Sequence, residues 1–370
     1  MTDWIGAARE VAAQLRADAT ERDRANRPPN AEVGLLRAAG LLSADGPVTD
    51  EITRIITAAD ASIGHLIGYH YIQLWRATLF DNPRAAARMR TDPSWFWAGV
   101  SNPLDAALDL TPADGGFTVD GRKSFATGAS VADRLVVSAT RTDNGEKLTF
   151  TVDAKAPGIT YLGDWDNTGQ RLTASGGVTF ENVFVDAQDV LGAQPEDSAR
   201  ISLAALGFQA ALTQIYVGIA EGALGHAAEY TRSRTRPWFL SNVDSATADP
   251  YILAGYGELV ASVEAAQLLA DRASDALRTA SAEPALGEEQ RATTAVTISS
   301  AKVFATKVVN EVTGKIFEFM GARATTSQNG FDRFWRNART LTLHDPVVYK
   351  AREVGAFFLT GERPPFTGYS

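Results

Sequence analysis

Leu135-Val-Val-Ser-Ala-Thr-Arg-Thr-Asp-Asn-Gly-Glu-Lys-Leu-Thr-Phe-Thr-Val152 alternates with a period of two on either side of Asn144-Gly145. Asn-Gly readily takes the positive φ that a tight hairpin turn demands, so the stretch reads as a β-hairpin. The same period runs outward from about Ser94 to Leu191. Phe117-Thr-Val-Asp-Gly-Arg-Lys-Ser-Phe125 alternates about an Asp120-Gly121 turn, and Gly177-Val-Thr-Phe-Glu-Asn-Val-Phe-Val185 closes the set. Short strands at turn-rich spacing predict an antiparallel barrel or sandwich of about 100 residues.

Both flanks read as helical. Ahead of the strands, residues 1 to about 92 form helices: Asn30 caps Ala31–Ala39, which Gly40 stops, and Thr49-Asp50 precedes a second through Ile52, Ile55, Ile56 and Ala59. A third, near Ile63 to Phe80, is apolar nearly all round, hence buried, and ends before Asn82-Pro83. Beyond about Arg200 the segments lengthen. Ile298, Ala301, Ala305, Val308, Val312, Ile316 and Phe319 mark one apolar stripe that Gly321 ends, and Val303, Phe304 and Val309 a second. Tyr251–Leu277 and Leu203–Tyr230 supply bundle partners. The expectation is an α+β chain in three parts: an N-terminal helical domain (1–93), a β domain (94–199) and a C-terminal helical bundle (200–370). The tail Arg363-Pro-Pro-Phe-Thr-Gly-Tyr-Ser370 reads as extended and free to lie on a neighbour.

Composition narrows the function. With 370 residues, 45% hydrophobic and 21% charged, the chain has the balance of a globular protein large enough for more than one core. A net charge of -9 and a pI near 5.1 argue against nucleic acid or an anionic membrane as partner. The absence of cysteine excludes disulfides, thiolate metal sites and a cysteine nucleophile. Histidines 65, 70, 226 and 344 form no His-Glu-x-x-His pair, so no metal is expected. Asp3, Glu10 and Asp18 leave no apolar leader in residues 1–20, and no run of about 18 uncharged apolar residues is expected, hence no membrane span. The expected location is the cytoplasm.

Phe331-Asp-Arg-Phe-Trp-Arg-Asn-Ala-Arg-Thr-Leu-Thr-Leu-His-Asp-Pro346 sets arginines, an asparagine, a histidine and aspartates among aromatics and leucines. Such groups are costly to bury unless paired. Two readings stand. Either arginine grips an anionic cofactor with His344 beside the chemistry, or a helix ahead of Pro346 carries solvated arginines and a His344 satisfied by backbone.

The α–β–α order resembles the acyl-CoA dehydrogenase superfamily. Ser62-Ile-Gly-His-Leu-Ile-Gly-Tyr-His70, Lys123-Ser-Phe-Ala-Thr-Gly-Ala129, Thr235-Arg-Pro-Trp238, Gly321-Ala-Arg323 and Phe331–Pro346 together resemble its dibenzothiophene monooxygenase group. The resemblance implies a flavin site. Thr127 would offer its hydroxyl to flavin N5, Trp165 would pack near the ring, and Asn102 and Ser175 would make polar contacts to the cofactor. Arg236 and Arg323 would hold phosphate at a subunit interface, although Ala324 stands where the group's pattern has glycine. His344 falls on the group's catalytic histidine, with His65, Tyr69, His70 and Phe239 as substrate wall. From the residues alone, Thr127 also reads as a strand-end threonine, Trp165 as a core plug and His65 as a satisfied core histidine.

No Gly-x-Gly-x-x-Gly is present to bind a nicotinamide, so reduced flavin must come from a separate NAD(P)H:flavin reductase. The implied activity is a two-component monooxygenase. It would take FMNH2 and O2, form a C4a-hydroperoxide, and oxygenate a sulfur, or a nitrogen, of a small apolar substrate. Loop 236–250, with Pro237 and Pro250, would act as a lid. A homotetramer is usual in the superfamily. The rival is an FAD-dependent acyl-CoA dehydrogenase using Asp345 as base, and a flavin-free scaffold homologue is the third reading.

Overall fold

The computed structural model describes residues 3–370; the first two positions of the expected helical region lie outside the described residues. Helices α1 (Trp4–Ala17), α2 (Ala19–Ala25), α3 (Asn30–Ala38), α4 (Val48–Ala59), α5 (Ala61–Arg76) and α6 (Pro83–Arg88) precede the strands. Asn30 is the first residue of α3 rather than its cap, because Pro29 takes the cap position; Gly40, at φ +71, ends the segment as expected. α5 is the element that matters most. The Asp60 carboxylate accepts from the backbone N–H groups of Ser62 and Ile63 and so fixes where this nearly all-buried helix starts. Arg22 locks the cap by donating to Asp60 Oδ2 at 2.8 Å.

The strands are β1 (Trp97–Val100), β2 (Asp109–Ala113), β3 (Gly116–Lys123), β4 (Arg134–Arg141), β5 (Lys147–Asp153), β6 (Ile159–Tyr161), β7 (Val178–Asp186) and β8 (Val190–Ala193). Their pairing runs β6-β7-β3-β2-β4-β5-β8, with β1 beside β4. The Asn144-Gly145 hairpin joins β4 to β5, with Thr140 opposite Lys147. Two expectations need correction. The sheet is mixed, since β1 and β2 each run parallel to β4. Asp120-Gly121 is a bulge inside β3, where pairing with β7 shifts between Val119 and Gly121; the turn falls at Asp114-Gly115. Gly121 does take a positive φ of +126, but the chain uses it to kink a strand rather than reverse it.

The bundle comprises α7 (Ala199–Arg234), α8 (Pro250–Ala282), α9 (Glu288–Met320), α10 (Asp332–Leu341) and α11 (Val347–Thr360). Every member of the first expected stripe on α9 is buried, and Gly321, at φ +78, ends the helix. Residues 201–220 of α7 carry no charge, contrary to the expected absence of such a run. By length and composition α7 and α8 are both apolar enough to cross a membrane; the apolar window of α7 is 78% buried in the protein and that of α8 17%. α7 lies against α4, α5, α8 and α9, which accounts for its composition. The tail packs on its own chain: Arg291 donates to the Pro364 carbonyl at 3.2 Å and stacks over Phe366.

Candidate functional site

The β-domain supplies one wall. Residues 126–128 are stitched to the 173–176 loop by Ala126 N–H to the Gly176 carbonyl (3.1 Å) and Gly128 N–H to the Thr173 carbonyl (2.9 Å). That brings Thr127 Oγ1 to 2.9 Å from Ser175 Oγ, which lies 2.7 Å from Thr173 Oγ1; Thr173 Oγ1 donates to the Gln170 carbonyl. Phe125, left-handed at φ +54, turns its ring outward, 6.1 Å from Trp165 and nearly perpendicular to it. The Trp165 indole N–H donates to the same Gln170 carbonyl at 2.8 Å. Asn102 joins this wall by donating to Ser124 Oγ at 3.2 Å.

α5 supplies a second wall. His65 Nδ1 lies 3.2 Å from Gln170 Oε1, and its ring meets Tyr69 edge-on at 4.2 Å. Burial takes the His65 imidazole down to about 3, against the pull of its Gln170 bond; the nearby His344 charge lowers it further. A neutral ring donating through Nδ1 leaves Nε2 as an acceptor, and that atom is buried without a partner, as is the Tyr69 hydroxyl. His70 does not belong to this wall. Its Nε2 donates to the Leu42 carbonyl at 2.9 Å and its Nδ1 accepts from Trp97 N–H at 3.0 Å. Five residues beyond His65, it faces the other side of the helix and ties β1 to the N-terminal helices.

The turn between α10 and α11 is the third wall. Tyr216 on α7 donates its hydroxyl to the Leu341 carbonyl (3.0 Å), and His344 N–H closes back on the same carbonyl. His344 Nδ1 lies 2.9 Å from Asp345 Oδ1, and 32% of its side chain stays exposed. Lys302 on α9, fully buried, donates to Asp345 Oδ1 and to Gln209 Oε1. Burial pushes the Asp345 carboxyl up, but the His344 hydrogen bond and the Lys302 ammonium outweigh it and hold the group well below its ordinary range. An ionised Asp345 requires His344 to carry its proton on Nδ1, leaving Nε2 for a ligand. Tyr369 from the tail stands 5.6 Å from the His344 ring, and its carbonyl accepts from Gln209 at 3.1 Å.

The structure thus links Thr127, Ser175 and Trp165 through Gln170 to His65 and so to Tyr69, with Asn102 bonded to Ser124 at their edge; His344 lies near enough for its charge to act on His65. It does not gather the rest. Arg236 and Arg323 are exposed where α7 and α9 end, joined by Thr235 Oγ1 donating to the Met320 carbonyl (3.2 Å). Phe239 is exposed, with Trp238 as its aromatic neighbour at 4.5 Å. Two of the three arginines in 331–346 do structural work that neither sequence reading described. Arg333 is buried, donating to the Gly330 carbonyl at 2.9 Å and stacking over Phe334. Arg336 clamps Asp23, Asp332 and the Thr168 carbonyl; Arg339 is exposed. Gln170, Gln209, Lys302 and Tyr369 were missed. Asn337, inside the quoted segment, was the available clue to Gln170, whose backbone N–H it accepts at 2.6 Å.

The residues fit the flavin that the resemblance implies. A buried hydroxyl pair lies in the same strand-and-loop wall as the exposed Phe125 ring and the half-buried Trp165 ring, His65 and Tyr69 carry buried polar atoms without partners, and Arg236 and Arg323 have no carboxylate partner among the described residues. A shallow groove lined by Trp165, Ala126, Ala174 and Tyr161 flanks this cluster; neither His344 nor His65 lines it, so side-chain chemistry rather than cavity size identifies the site.

The acyl-CoA dehydrogenase middle-domain family matches residues 102–183, and the acyl-CoA dehydrogenase C-terminal-domain family matches 210–348. The probable FMNH2-dependent monooxygenase SfnC of Pseudomonas putida is 37% identical over 383 residues, spanning 99% of this chain and 97% of its own. The dibenzothiophene monooxygenase of Rhodococcus erythropolis is 38% identical, spanning 98% and 94%. The crystal structure of TdsC from Paenibacillus sp. A11-2 with FMN and indole superposes with a TM-score of 0.94 at 37% identity, over the full length of both chains.

Proposed function

Because the chain belongs to the FMNH2-dependent monooxygenases of acyl-CoA dehydrogenase fold, we propose that it transfers one oxygen atom of O2 to the sulfur of a small organosulfur substrate, with nitrogen the second candidate atom. Bound reduced FMN supplies the electrons that activate O2. The Thr127 hydroxyl, with Ser175, Asn102 and the Trp165 ring, holds the flavin ring system, and Arg236 and Arg323 take its phosphate. His344 presents Nε2 to the reacting centre and holds or gives up a proton there, while Asp345 fixes its tautomer. His65 and Tyr69 orient the substrate. Phe239 reaches it only when loop 236–250 closes. His70 stays out of the pocket.

A separate NAD(P)H:flavin reductase delivers FMNH2. We infer a homotetramer in the cytoplasm; exposed Leu253, Val260 and Leu268 along α8 support self-association.

The observation that carries this reading is the tether of His344 to Asp345. That same tether weighs against the dehydrogenase alternative, because Asp345 is committed to Lys302 and His344 and cannot serve as a free base.

To test it, the protein is supplied with enzymatically reduced FMN, 18O2 and thioanisole. One labelled oxygen per sulfoxide is expected. Hydrogen peroxide alone, with no labelled sulfoxide, sulfone or N-oxide from a probe panel, overturns it.

A further inference from the structure

His65, Tyr69, Gln73 and Arg76 are spaced four, four and three residues apart on α5 and therefore share one face. Each carries a buried polar atom without a hydrogen-bond partner: His65 Nε2, the Tyr69 hydroxyl, Gln73 Nε2 and Arg76 Nε. Isolated buried polar atoms of this kind are rare in folded proteins, and here four lie in line along one helix face.

The far end of the line is the unusual part. Arg76 is 3% exposed. Among the described residues every other buried cation finds a carboxylate or a backbone carbonyl. Arg22 pairs with Asp60, Lys302 with Asp345 and Lys350 with Glu353; Lys123, Arg291 and Arg333 meet carbonyls. Arg76 meets neither. Its contacts are Gln73 Oε1 at 3.3 Å, Ser101 Oγ at 3.5 Å and the Phe208 ring at 5.9 Å. Burial alone lowers its guanidinium to about 10. After burial, the Arg76 charge is the next cause holding the Lys147 ammonium below its ordinary value, with Glu196 acting the other way. Both unpartnered atoms at this end are N–H donors. What completes them must be rich in acceptors and negatively charged.

Phe208 links this end to the site above: its ring lies 5.1 Å from that of Tyr69. Side chains on a helix lean toward its N-terminus, so the Arg76 guanidinium reaches back toward Tyr69 along the same wall. We infer that Arg76, with Gln73 and Ser101, binds an anionic group on the substrate, so that the substrate is an organosulfur compound carrying a carboxylate or sulfonate a few bonds from the sulfur. The reaction at the sulfur rests on the monooxygenase reading above. In it, the sulfur lone pair forms a bond to one atom of O2 as the O–O bond breaks. The other atom leaves as water with two protons and the two electrons of FMNH2. The sulfide is oxidised to a sulfoxide and the anion at Arg76 is unchanged.

The experiment compares 4-(methylthio)butanoate with its neutral counterpart, methyl pentyl sulfide, by calorimetric titration of the full chain and by sulfoxide formation. The carboxylate should bind wild type at least ten-fold more tightly, and Arg76→Met should abolish that preference while leaving the neutral sulfide within about three-fold. An apolar side chain of similar size in place of a buried charge is generally tolerated, and Arg76→Met should melt no lower than wild type without ligand. Equal affinity of the two probes for wild type overturns the inference, with no variant needed; so does a preference that survives Arg76→Met. The two readings separate cleanly. Sulfoxide from the neutral sulfide without any carboxylate preference refutes the anion site alone. Arg76-dependent carboxylate binding without oxygenation of either probe refutes the oxygenase reading alone.

Discussion

Lys302 Nζ donates to the same atom, Asp345 Oδ1, that receives the His344 ring at 2.9 Å. One carboxylate oxygen therefore balances a buried ammonium and sets the tautomer of the exposed imidazole. Lys302 sits on α9, Asp345 and His344 on the turn before α11, so the bundle's packing is coupled directly to the geometry of the site.

Asp345→Asn should expose that coupling. The amide leaves Lys302 buried without a counter-charge, and unfolding by guanidinium should show a loss of about 3–5 kcal/mol. Adding Lys302→Met should recover most of it, because the stranded charge is then removed as well. Strictly additive losses in the double-mutant cycle would mean that the two side chains do not interact. In activity, Asp345→Asn should lower kcat by about 10–100-fold with KM nearly constant, since His344 keeps its place but not its tautomer.

Arg236→Ala and Arg323→Ala should each raise the Kd for FMN by about ten-fold or more, the scale of one charged hydrogen bond. kcat at saturating flavin should hold, because neither residue meets the reacting atoms. Fluorescence titration of FMN against each variant decides this; a variant that binds as wild type does would remove that arginine from the phosphate assignment.

The sequence was most legible where the signal is local. Asn144-Gly145 needs only its own φ preference to make a hairpin, and the stripe from Ile298 to Phe319 needs only helical periodicity. β1 and β8, four residues each, were invisible because their pairing partners lie far along the chain. His70 misled for a related reason. Its neighbours His65 and Tyr69 carry buried polar atoms without partners, and only the positions of Leu42 and Trp97 reveal that both His70 nitrogens are already taken. Arg76 carries no sequence signal of its own, since the lack of an anion around it is a property of packing.

Acid should destabilise the protein through its buried imidazoles. Burial, the largest cause in each case, takes His65 to about 3 and His70 and His226 to about 4. The unfolded chain binds protons near the ordinary value of 6.5, so it holds more protons than the folded chain between about 4 and 6.5. The stability is therefore fully present above 6.5 and is lost as pH falls through that window. From pH 7.0 to 5.5 each histidine should cost about 1 kcal/mol. His70 is the clearest case, because protonation removes the Nδ1 lone pair that accepts from Trp97. Guanidinium unfolding at the two pH values measures the total, and a chain equally stable at both would contradict the buried, neutral assignment.

Gly128→Ala tests whether the Thr127 hydroxyl is placed by backbone geometry. Gly128 takes φ +73, and a Cβ there would lie 2.9 Å from Leu66 Cδ2 and 3.2 Å from Phe96 Cε1. The substitution thus combines left-handed strain with overpacking against Leu66 of α5 and Phe96, just ahead of β1, about 2–4 kcal/mol in total. Because Gly128 N–H also holds the Thr173 carbonyl, relief of the clash should pull Thr127 away from Ser175 and weaken FMN binding. Gly145→Ala is the matched control: φ is +77, but nothing lies within 4 Å of the added methyl. It should cost about 1–2 kcal/mol by strain alone and leave FMN affinity unchanged. If Gly128→Ala loses stability but binds FMN as wild type does, the turn is a packing device and Thr127 has no part in holding the flavin.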